Sequence, residues 1–377
     1  MRTVRENVTI SYRGAHYEIG RGENFYGIWV AGAPDAQPSE QWPETPEGWH
    51  GAWTRFSGIE VPGTIVPVAQ ANARTVDDRQ GAFIAAGLLG LGVALGIVGL
   101  FPDYLGGQSL TQQPDLLVAH AIYLAVWATS AVLIVLGGAR LRTGTLLGLG
   151  TSAVTFGLFF ADAGTPITAG AHLMGAGLIL SLVGWLACAA GGVIALRSQP
   201  AGAPGRLHRH AVGFFLALTL AAVGAAISFA PSWDSFTLRT SAGATHTLTL
   251  GNAFSSPGAV IAGDLATMIS LVVVVVLAGL WRPTIAGAAL LAGAIIPMAA
   301  QAISALVQLG EQVDSSQFGI SSAAAARLGL TISSGVTPAF WIFCAFVVAL
   351  IAMCVRMSIP MRQPALAGSR APTTTFS

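Results

Sequence analysis

The sequence predicts an all-α polytopic membrane protein with eight transmembrane helices and a small α+β cytoplasmic domain at its N-terminus. Of its 377 residues, 53% are hydrophobic and only 9% are charged, with a mean hydropathy of +0.67, whereas soluble domains carry about 25% charged residues. Apolar segments long enough to cross a bilayer recur along the chain. The arginines between these segments alternate from side to side, as the positive-inside rule requires.

The segment before the first apolar run has the composition of a small domain that folds in water. Val8–Tyr12 and His16–Ile19 have the pattern of a β-hairpin, and Phe25–Trp29 has the pattern of a third strand. With the helix described next, these strands predict a β-β-β-α cytoplasmic domain over residues 1–60. We expect an irregular linker over residues 61–80.

A helix start follows the predicted strands. Thr45 before Pro46 has the order of an N-cap and a first helical residue. Trp49, Trp53 and Phe56 then recur at helical spacing, so one aromatic face covers the small sheet. Trp49 and Trp53 are predicted core residues, and in the alternative interpretation they dock a protein partner.

The stretch from Gly20 to Glu60 resembles a small uncharacterised module of actinobacterial multi-pass membrane proteins. The residues that carry the resemblance are Phe25-Tyr26-Gly27-Ile28-Trp29 and the Trp-rich run from Thr45 to Phe56. The resemblance covers about a tenth of the chain. It implies a lineage and brings no activity, cofactor or site residue.

Eight segments fit the length of about 20 apolar residues that a hydrocarbon layer of about 30 Å demands. They are Gly81–Phe101, Leu116–Gly138, Thr143–Ala161, Ala171–Leu196, Ala211–Ala230, Gly258–Trp281, Ile285–Leu309 and Pro338–Met357.

Arginine distribution predicts the orientation of these spans. All 18 basic residues are arginine, and 16 of them fall on the side that also holds the N- and C-termini, whereas only Arg239 and Arg327 fall on the other side. Short cytoplasmic loops retain positive charge. We therefore expect both termini in the cytoplasm.

Similar sequences at the ends of the first and fifth spans predict two tandem four-helix repeats in parallel orientation. Leu100–Tyr104 resembles Phe229–Asp234, and each is followed by a loop and then an Asp-Leu pair, Asp115-Leu116 or Asp264-Leu265. The alternative is that helices rich in alanine, glycine and leucine all look alike.

The spans also define the predicted segments of the membrane part. These are a first four-helix unit (81–196), a cytoplasmic loop (197–210), a second four-helix unit (211–357) with an outer hairpin loop (231–257) and an outer loop (310–337), and a disordered cytoplasmic tail (358–377). Phe236–Thr240 and His246–Leu250 alternate as hairpin strands do. Ser321–Leu330 is rich enough in alanine to predict a short helix.

Glycines are dense in the first and fourth spans. Small side chains let helix backbones approach closely where lipid provides no hydrophobic drive between helices. The pattern predicts a compact bundle, and in the alternative it forms the face of a homodimer.

Few ionisable residues lie in the predicted spans, and each is a candidate because a charge near a helix centre costs at least about 2.5 kcal/mol. Asp264 lies in the sixth span, His120 in the second, Asp162 at the end of the third and His172 at the start of the fourth. All four lie toward the outer face. If their helices are neighbours, they form an outward-facing pocket that relays protons or binds a divalent metal or a cationic solute. In the alternative, each residue caps its helix or extends to the headgroup water, which suits Asp162 and His172 near the span ends.

Pro297 interrupts the seventh span. Proline removes a backbone hydrogen bond and kinks a helix, and Gln301 follows one turn later. We expect the Gln301 amide to satisfy backbone groups that the kink frees.

Two function classes follow from these features. The scarcity of polar residues in the spans favours a membrane scaffold or accessory subunit that binds protein partners through its N-terminal domain. The alternative is a small-solute or ion transporter with an outward-facing polar site around Asp264. An enzyme ranks third, because no HExxH, GxSxG or phosphate-loop motif occurs.

Charge and composition also predict partners and location. The net charge of +1 offers no basic face for nucleic acid, and we expect no cofactor. The lack of lysine and the abundance of alanine and glycine indicate a bacterial genome of high GC content. The lipid bilayer of the bacterial plasma membrane is therefore the expected environment.

Overall fold

The computed structural model describes residues 8–31, 37–61, 63–170, 174–198, 203–204, 211–249 and 253–359. The chain forms two compact units, Met1–Gln80 and Gly81–Ser377. Each unit is described by itself.

The N-terminal unit is built on an antiparallel sheet of five strands in the order β4-β3-β2-β1-β5. Its strands are β1 (Thr9–Arg13), β2 (Tyr17–Arg21), β3 (Phe25–Val30), β4 (Glu40–Pro43) and β5 (Val66–Pro67). The sequence predicted three strands here. It missed β4, which is short and ends in proline, as edge strands do, and also β5.

One helix, α1 (Pro46–Ile59), packs on this sheet. The hydroxyl of Thr45 accepts a hydrogen bond from the Gly48 N–H at 3.1 Å, which is the predicted N-cap. Ala52 and Phe56 are buried with Ile19 and Ile28 in the core of the unit. The predicted helix therefore covers the sheet with its apolar face.

Glu60 ends α1 and holds the turn between β1 and β2. Its buried carboxylate accepts hydrogen bonds from the backbone N–H groups of Ala15 (2.9 Å), His16 (2.8 Å) and Tyr17. Burial raises the pKa of Glu60, but the donated backbone hydrogen bonds outweigh it, so the pKa lies below its ordinary value. The carboxylate thus replaces the water that these N–H groups would otherwise need.

Within the part of the chain that the structure describes, eight helices are long and apolar enough to cross a membrane, by length and composition. They are α2 (Val68–Val98), α3 (Pro114–Leu136), α4 (Gly138–Ala169), α5 (Ala176–Ser198), α6 (Val212–Phe229), α7 (Gly258–Leu280), α8 (Thr284–Val307) and α10 (Pro338–Ser358). Large apolar side chains on them face outward, and Leu220 and Ile227 are 67% and 66% exposed. These features are those of a multi-pass membrane protein.

Three helix bounds differ from the sequence prediction. α2 begins at Val68, within the segment predicted as an irregular linker. α4 has 32 residues and is about 48 Å long at 1.5 Å per residue, so Asp162 lies inside the helix and not at its end. α5 begins at Ala176, five residues after the predicted start of the fourth span, and the predicted site residue His172 lies outside the described residues.

α4 is the central helix of the bundle and packs against α3, α5, α7 and α8. Glycine makes the closest approaches possible. A Cβ atom at Gly293 of α8 would overlap the Leu147 carbonyl of α4, and one at Gly157 of α4 would overlap the backbone of Thr267 of α7. A hydrogen bond also joins α4 to α8: the Thr151 hydroxyl of α4 donates to the Gly293 carbonyl of α8 at 3.1 Å.

Short strands join the helices at one end of the bundle, which we call the hairpin end. They are the hairpin β6 (Asp103–Leu105) and β7 (Gln108–Ser109), and a sheet of order β10-β9-β12 that contains β9 (Asp234–Arg239), β10 (Thr245–Thr249) and β12 (Thr331–Val336). β9 and β10 occupy the position of the predicted outer hairpin, and a short helix, α9 (Ser322–Leu328), precedes β12. At the opposite end β8 (Ala203–Pro204) pairs with β11 (Trp281–Arg282).

Candidate functional site: an acidic cavity at the hairpin end

A cavity of about 520 Å³ opens among the helices near the hairpin end, and we call it the mouth cavity. Its polar lining includes the carboxylates of Asp115, Asp234 and Asp264 and the amide of Gln301. No basic side chain lines it within the described part of the chain. Three carboxylates without a cationic neighbour give this cavity a negative potential that favours cations.

A second cavity of about 170 Å³, the inner cavity, adjoins the first. Asp264 and Gln301 line both cavities, whereas His120 and Asp162 line only the inner one. Three of the four predicted site residues therefore share one cavity. The fourth, His172, lies outside the described residues.

Tyr104 links two of these residues through a chain of hydrogen bonds. Its hydroxyl lies 2.7 Å from Asp162 Oδ2 and 3.1 Å from His120 Nε2. The other ring nitrogen of His120, Nδ1, lies 2.9 Å from the carbonyl oxygen of Leu116. Because a carbonyl only accepts hydrogen bonds, Nδ1 carries a proton in this contact.

The β6–β7 hairpin places Tyr104 in this chain. The Tyr104 side chain is fully buried, and its carbonyl accepts a hydrogen bond from Gly175 N at 3.1 Å, just before α5. Burial, followed by the negative charge of Asp162, raises the pKa of Tyr104 well above its ordinary value. Tyr104 therefore remains a neutral phenol.

Gln301 and Ser304 hold α8 against α3 beside the cavities. Gln301 Nε2 donates to the Tyr123 hydroxyl at 2.7 Å, and Ser304 Oγ donates to the Asp115 carbonyl at 2.6 Å. The sequence predicted that the Gln301 amide satisfies backbone groups near Pro297. The structure instead directs this amide to a side chain of another helix.

Asp234 lies at the rim of the mouth cavity, after α6. Removal of water from its carboxyl group, and secondly the charge of Asp115, raise its pKa. A bound cation would oppose both effects by favouring the ionised carboxylate. Sequence reasoning missed Asp115 and Asp234 because both lie near the ends of spans, where a charge reaches water at little cost.

The described residues contain no group of three or more His, Cys, Asp or Glu side chains placed to hold a metal ion. The predicted divalent-metal site therefore has no ready ligand set among them. The predicted docking residues Trp49 and Trp53 are half-buried, and Trp53 packs edge-on against the Tyr12 ring with centroids 4.7 Å apart. Both rings pack against the buried core of the N-terminal unit.

The polar groups that the structure brings together thus come from α3, α4, α7, α8 and two loops of the hairpin end. Comparison with known proteins adds no analogy for this arrangement: no protein-family model, no curated protein and no solved structure matches the chain.

Proposed function

We propose that this protein binds a small cationic solute in the mouth and inner cavities and carries it across the membrane. The observation that carries the proposal is the set of carboxylates that line the two cavities, where the described lining residues include no arginine and the imidazole of His120 is the one basic side chain. Buried carboxylates in a membrane protein are costly unless a cation or a proton compensates them.

The inner cavity fits a small organic ammonium ion. Its volume of about 170 Å³ is close to the roughly 150 Å³ that accommodates a benzene-sized ligand. Three of its walls are the rings of Tyr123, Phe159 and Phe229. Aromatic faces beside a carboxylate are the chemistry that recognises substituted ammonium groups.

The helix arrangement supports two parallel four-helix repeats, as transporters of this type have. Exchanging α3, α4 and α5 with α7, α8 and α10 turns each packed pair among these six helices into another packed pair: α3–α4 becomes α7–α8, α4–α5 becomes α8–α10, and α4–α7 becomes α8–α3. The central pair α4–α8 becomes itself.

The loops and the Asp-Leu pairs follow the same exchange. Leu105 of the first hairpin bridges to Met174 before α5, and β9 of the second hairpin pairs with β12 before α10. Asp115 and Asp264, the carboxylates of the two similar pairs, both line the mouth cavity. This placement is expected if a pseudo-two-fold axis along the membrane normal passes near the cavity.

In this proposal the hairpin end faces the outside of a bacterial plasma membrane. The support is the arginine distribution, which assigns only Arg239 and Arg327 to that side. The cavities then receive solute from outside the cell. The scaffold interpretation of the N-terminal domain stays a prediction that no described feature tests.

Ligand-dependent thermal unfolding of the purified full-length protein tests the proposal. We expect tetramethylammonium chloride to raise the unfolding temperature of the wild type, since a ligand that binds only the folded state stabilises it by about 2.7 kcal/mol at 100 times its Kd. The neutral analogue tert-butanol has no such effect. Asp264→Asn abolishes the response, because this carboxylate lines both cavities.

Asp103→Asn is the matched control, since this exposed carboxylate lies in β6 and is absent from the lining of both cavities. It retains the wild-type response. An equal response in wild type and Asp264→Asn, or no response of wild type to tetramethylammonium, sodium or putrescine, contradicts the proposal. Uptake of labelled tetramethylammonium into proteoliposomes then separates transport from binding alone.

A further inference from the structure

Three hydrogen-bonding contacts run in series from Leu116 to Asp162. The first joins the Leu116 carbonyl to His120 Nδ1 (2.9 Å), the second joins His120 Nε2 to the Tyr104 hydroxyl (3.1 Å), and the third joins this hydroxyl to Asp162 Oδ2 (2.7 Å). Each contact needs one proton between its two electronegative atoms, since two facing lone pairs repel each other.

The ordinary protonation states supply too few protons for these contacts. A carbonyl supplies none, a neutral imidazole supplies one, a phenol supplies one and an ionised carboxylate supplies none. Two protons therefore serve three contacts, and either tautomer of neutral His120 leaves one contact with facing lone pairs. The geometry requires a third proton.

The third proton has two possible positions, and both leave the chain without net charge. It lies either on His120, as an imidazolium that faces an ionised Asp162 through Tyr104, or on Asp162, with neutral His120. Tyr104 is not itself the site of release, because burial holds its pKa far above its ordinary value. It passes the proton between its two neighbours.

The groups around this chain leave few other sources for the proton. The titratable groups that face it are Tyr123 of α3 and Asp264 of α7, on the inner cavity. The other described side chains that line the cavities beside it do not ionise near neutral pH, and among them are Phe159, Phe229, Gln301, Ser181 and Trp185. Asp103 of β6 is next to Tyr104 in sequence but has an exposed side chain.

We propose that the Asp162–Tyr104–His120 chain stores one proton and releases it when a cation enters the inner cavity. One cation enters and one proton leaves, so the charge inside the membrane stays constant and no uncompensated carboxylate is created. The inference rests on the proposed function, and it identifies that function as cation/proton exchange.

Isothermal titration calorimetry of the full-length protein with tetramethylammonium chloride counts the released protons. Titrations at one pH in buffers of different ionisation enthalpy give the number of protons that leave per cation bound. We expect a number close to one near neutral pH, and an apparent Kd that rises about tenfold for each pH unit of acidification, because the proton and the cation compete.

Asp162→Asn removes the exchange of a proton for a cation, and the asparagine side chain has nearly the same shape as the aspartate side chain. The asparagine amide donates to Tyr104 as a protonated carboxyl group would, so all three contacts remain satisfied. This variant binds tetramethylammonium more weakly, with no proton release and no dependence of Kd on pH. Asp103→Asn is the matched control and behaves as the wild type.

His120→Gln is a second test variant, used if Asp162→Asn does not fold. Its control is His246→Gln, on the exposed strand β10. Proton release is lost in His120→Gln and retained in His246→Gln. If the wild type binds tetramethylammonium without releasing a proton, the exchange is overturned while the cation site stands. If the wild type binds none of the tested cations, the proposed function fails as well.

Discussion

At the scale of single residues, the Tyr104 hydroxyl joins two ionisable residues of the inner cavity, His120 and Asp162. Asp264, His120 and Asp162 are recognisable because charged groups in apolar spans are costly and need a reason. Tyr104 carries no charge and lies outside the apolar spans, so the cost of a charge in a span does not identify it as a site residue. Gly106 and Gly107 after it have positive φ angles, and this Gly-Gly pair was the available signal of a hairpin that folds back.

A residue of the N-terminal unit gives a prediction that is independent of the cavities. Glu60→Gln replaces one of the acceptor oxygens that hold the β1–β2 turn with an amide group that only donates. Hydrogen bonds to a charged group contribute about 1.5–3 kcal/mol. We expect a loss of this order in the stability of the unit, measured by hydrogen exchange of the Ala15–Tyr17 amides. Glu23→Gln, in an exposed turn, leaves the exchange unchanged.

The same carboxylate makes the N-terminal unit sensitive to acid. The pKa of Glu60 is lower in the folded state than in the unfolded chain, so its contribution is fully present above the unfolded value of about 4.3. The contribution is lost as the pH falls from there through the lowered pKa. Faster amide exchange at Ala15–Tyr17 in this acidic range, absent in Glu60→Gln, is the expected result. A flat profile in the wild type contradicts it.

At the scale of elements, hydropathy predicted the eight candidate spans because length and composition determine whether a helix is able to cross a bilayer. Exact ends depend on packing. Gly138 to Thr143, before the predicted third span, reads as a polar turn, yet α4 includes it. The prediction of an irregular linker over residues 61–80 was wrong from Val68 onward, because these residues form the start of helix α2. Their charged side chains lower the hydropathy, so the apolar pattern of the first span begins only after them.

Helix α4 also provides a prediction at this scale. Gly293→Ala in α8 places a Cβ against the Leu147 carbonyl of α4. Overpacking of this kind costs about 1–3 kcal/mol. We expect a lower unfolding temperature of the detergent-purified protein.

Gly90→Ala in α2 is the matched control for Gly293→Ala, because no atom lies within 4 Å of a Cβ built there. It keeps or raises the unfolding temperature, since alanine is the better helix former by up to about 1 kcal/mol. Equal unfolding temperatures for the two variants would exclude close packing of α4 on α8.

At the scale of the whole molecule, the sequence predicted an even number of spans and an arginine bias toward one side of the membrane. It did not predict the two cavities. A cavity depends on which helices are neighbours. Asp115 and Gln301 are far apart in sequence, and only the packing of α3 against α8 places them around one space.

Membrane topology is the prediction that belongs to this scale. In a variant without the native cysteines, Ala242→Cys in the β9–β10 turn reacts with a membrane-impermeant maleimide on intact cells. We expect His50→Cys in α1 to react only after permeabilisation, because five candidate spans, an odd number, lie between these two positions in the sequence. Both positions are exposed, so labelling of both on intact cells would refute the orientation.

The position of Tyr104 on a surface hairpin has a pharmacological consequence. Tyr104, which contacts both Asp162 and His120, lies in the β6–β7 hairpin. This hairpin has only two short strands, of three and two residues. An antibody fragment or peptide that binds this hairpin and pulls it from the bundle separates the two ionisable groups without entering a cavity. Under the proposed cation/proton exchange, inhibitors therefore do not need to resemble the solute, and in the proposed orientation they do not need to cross the membrane.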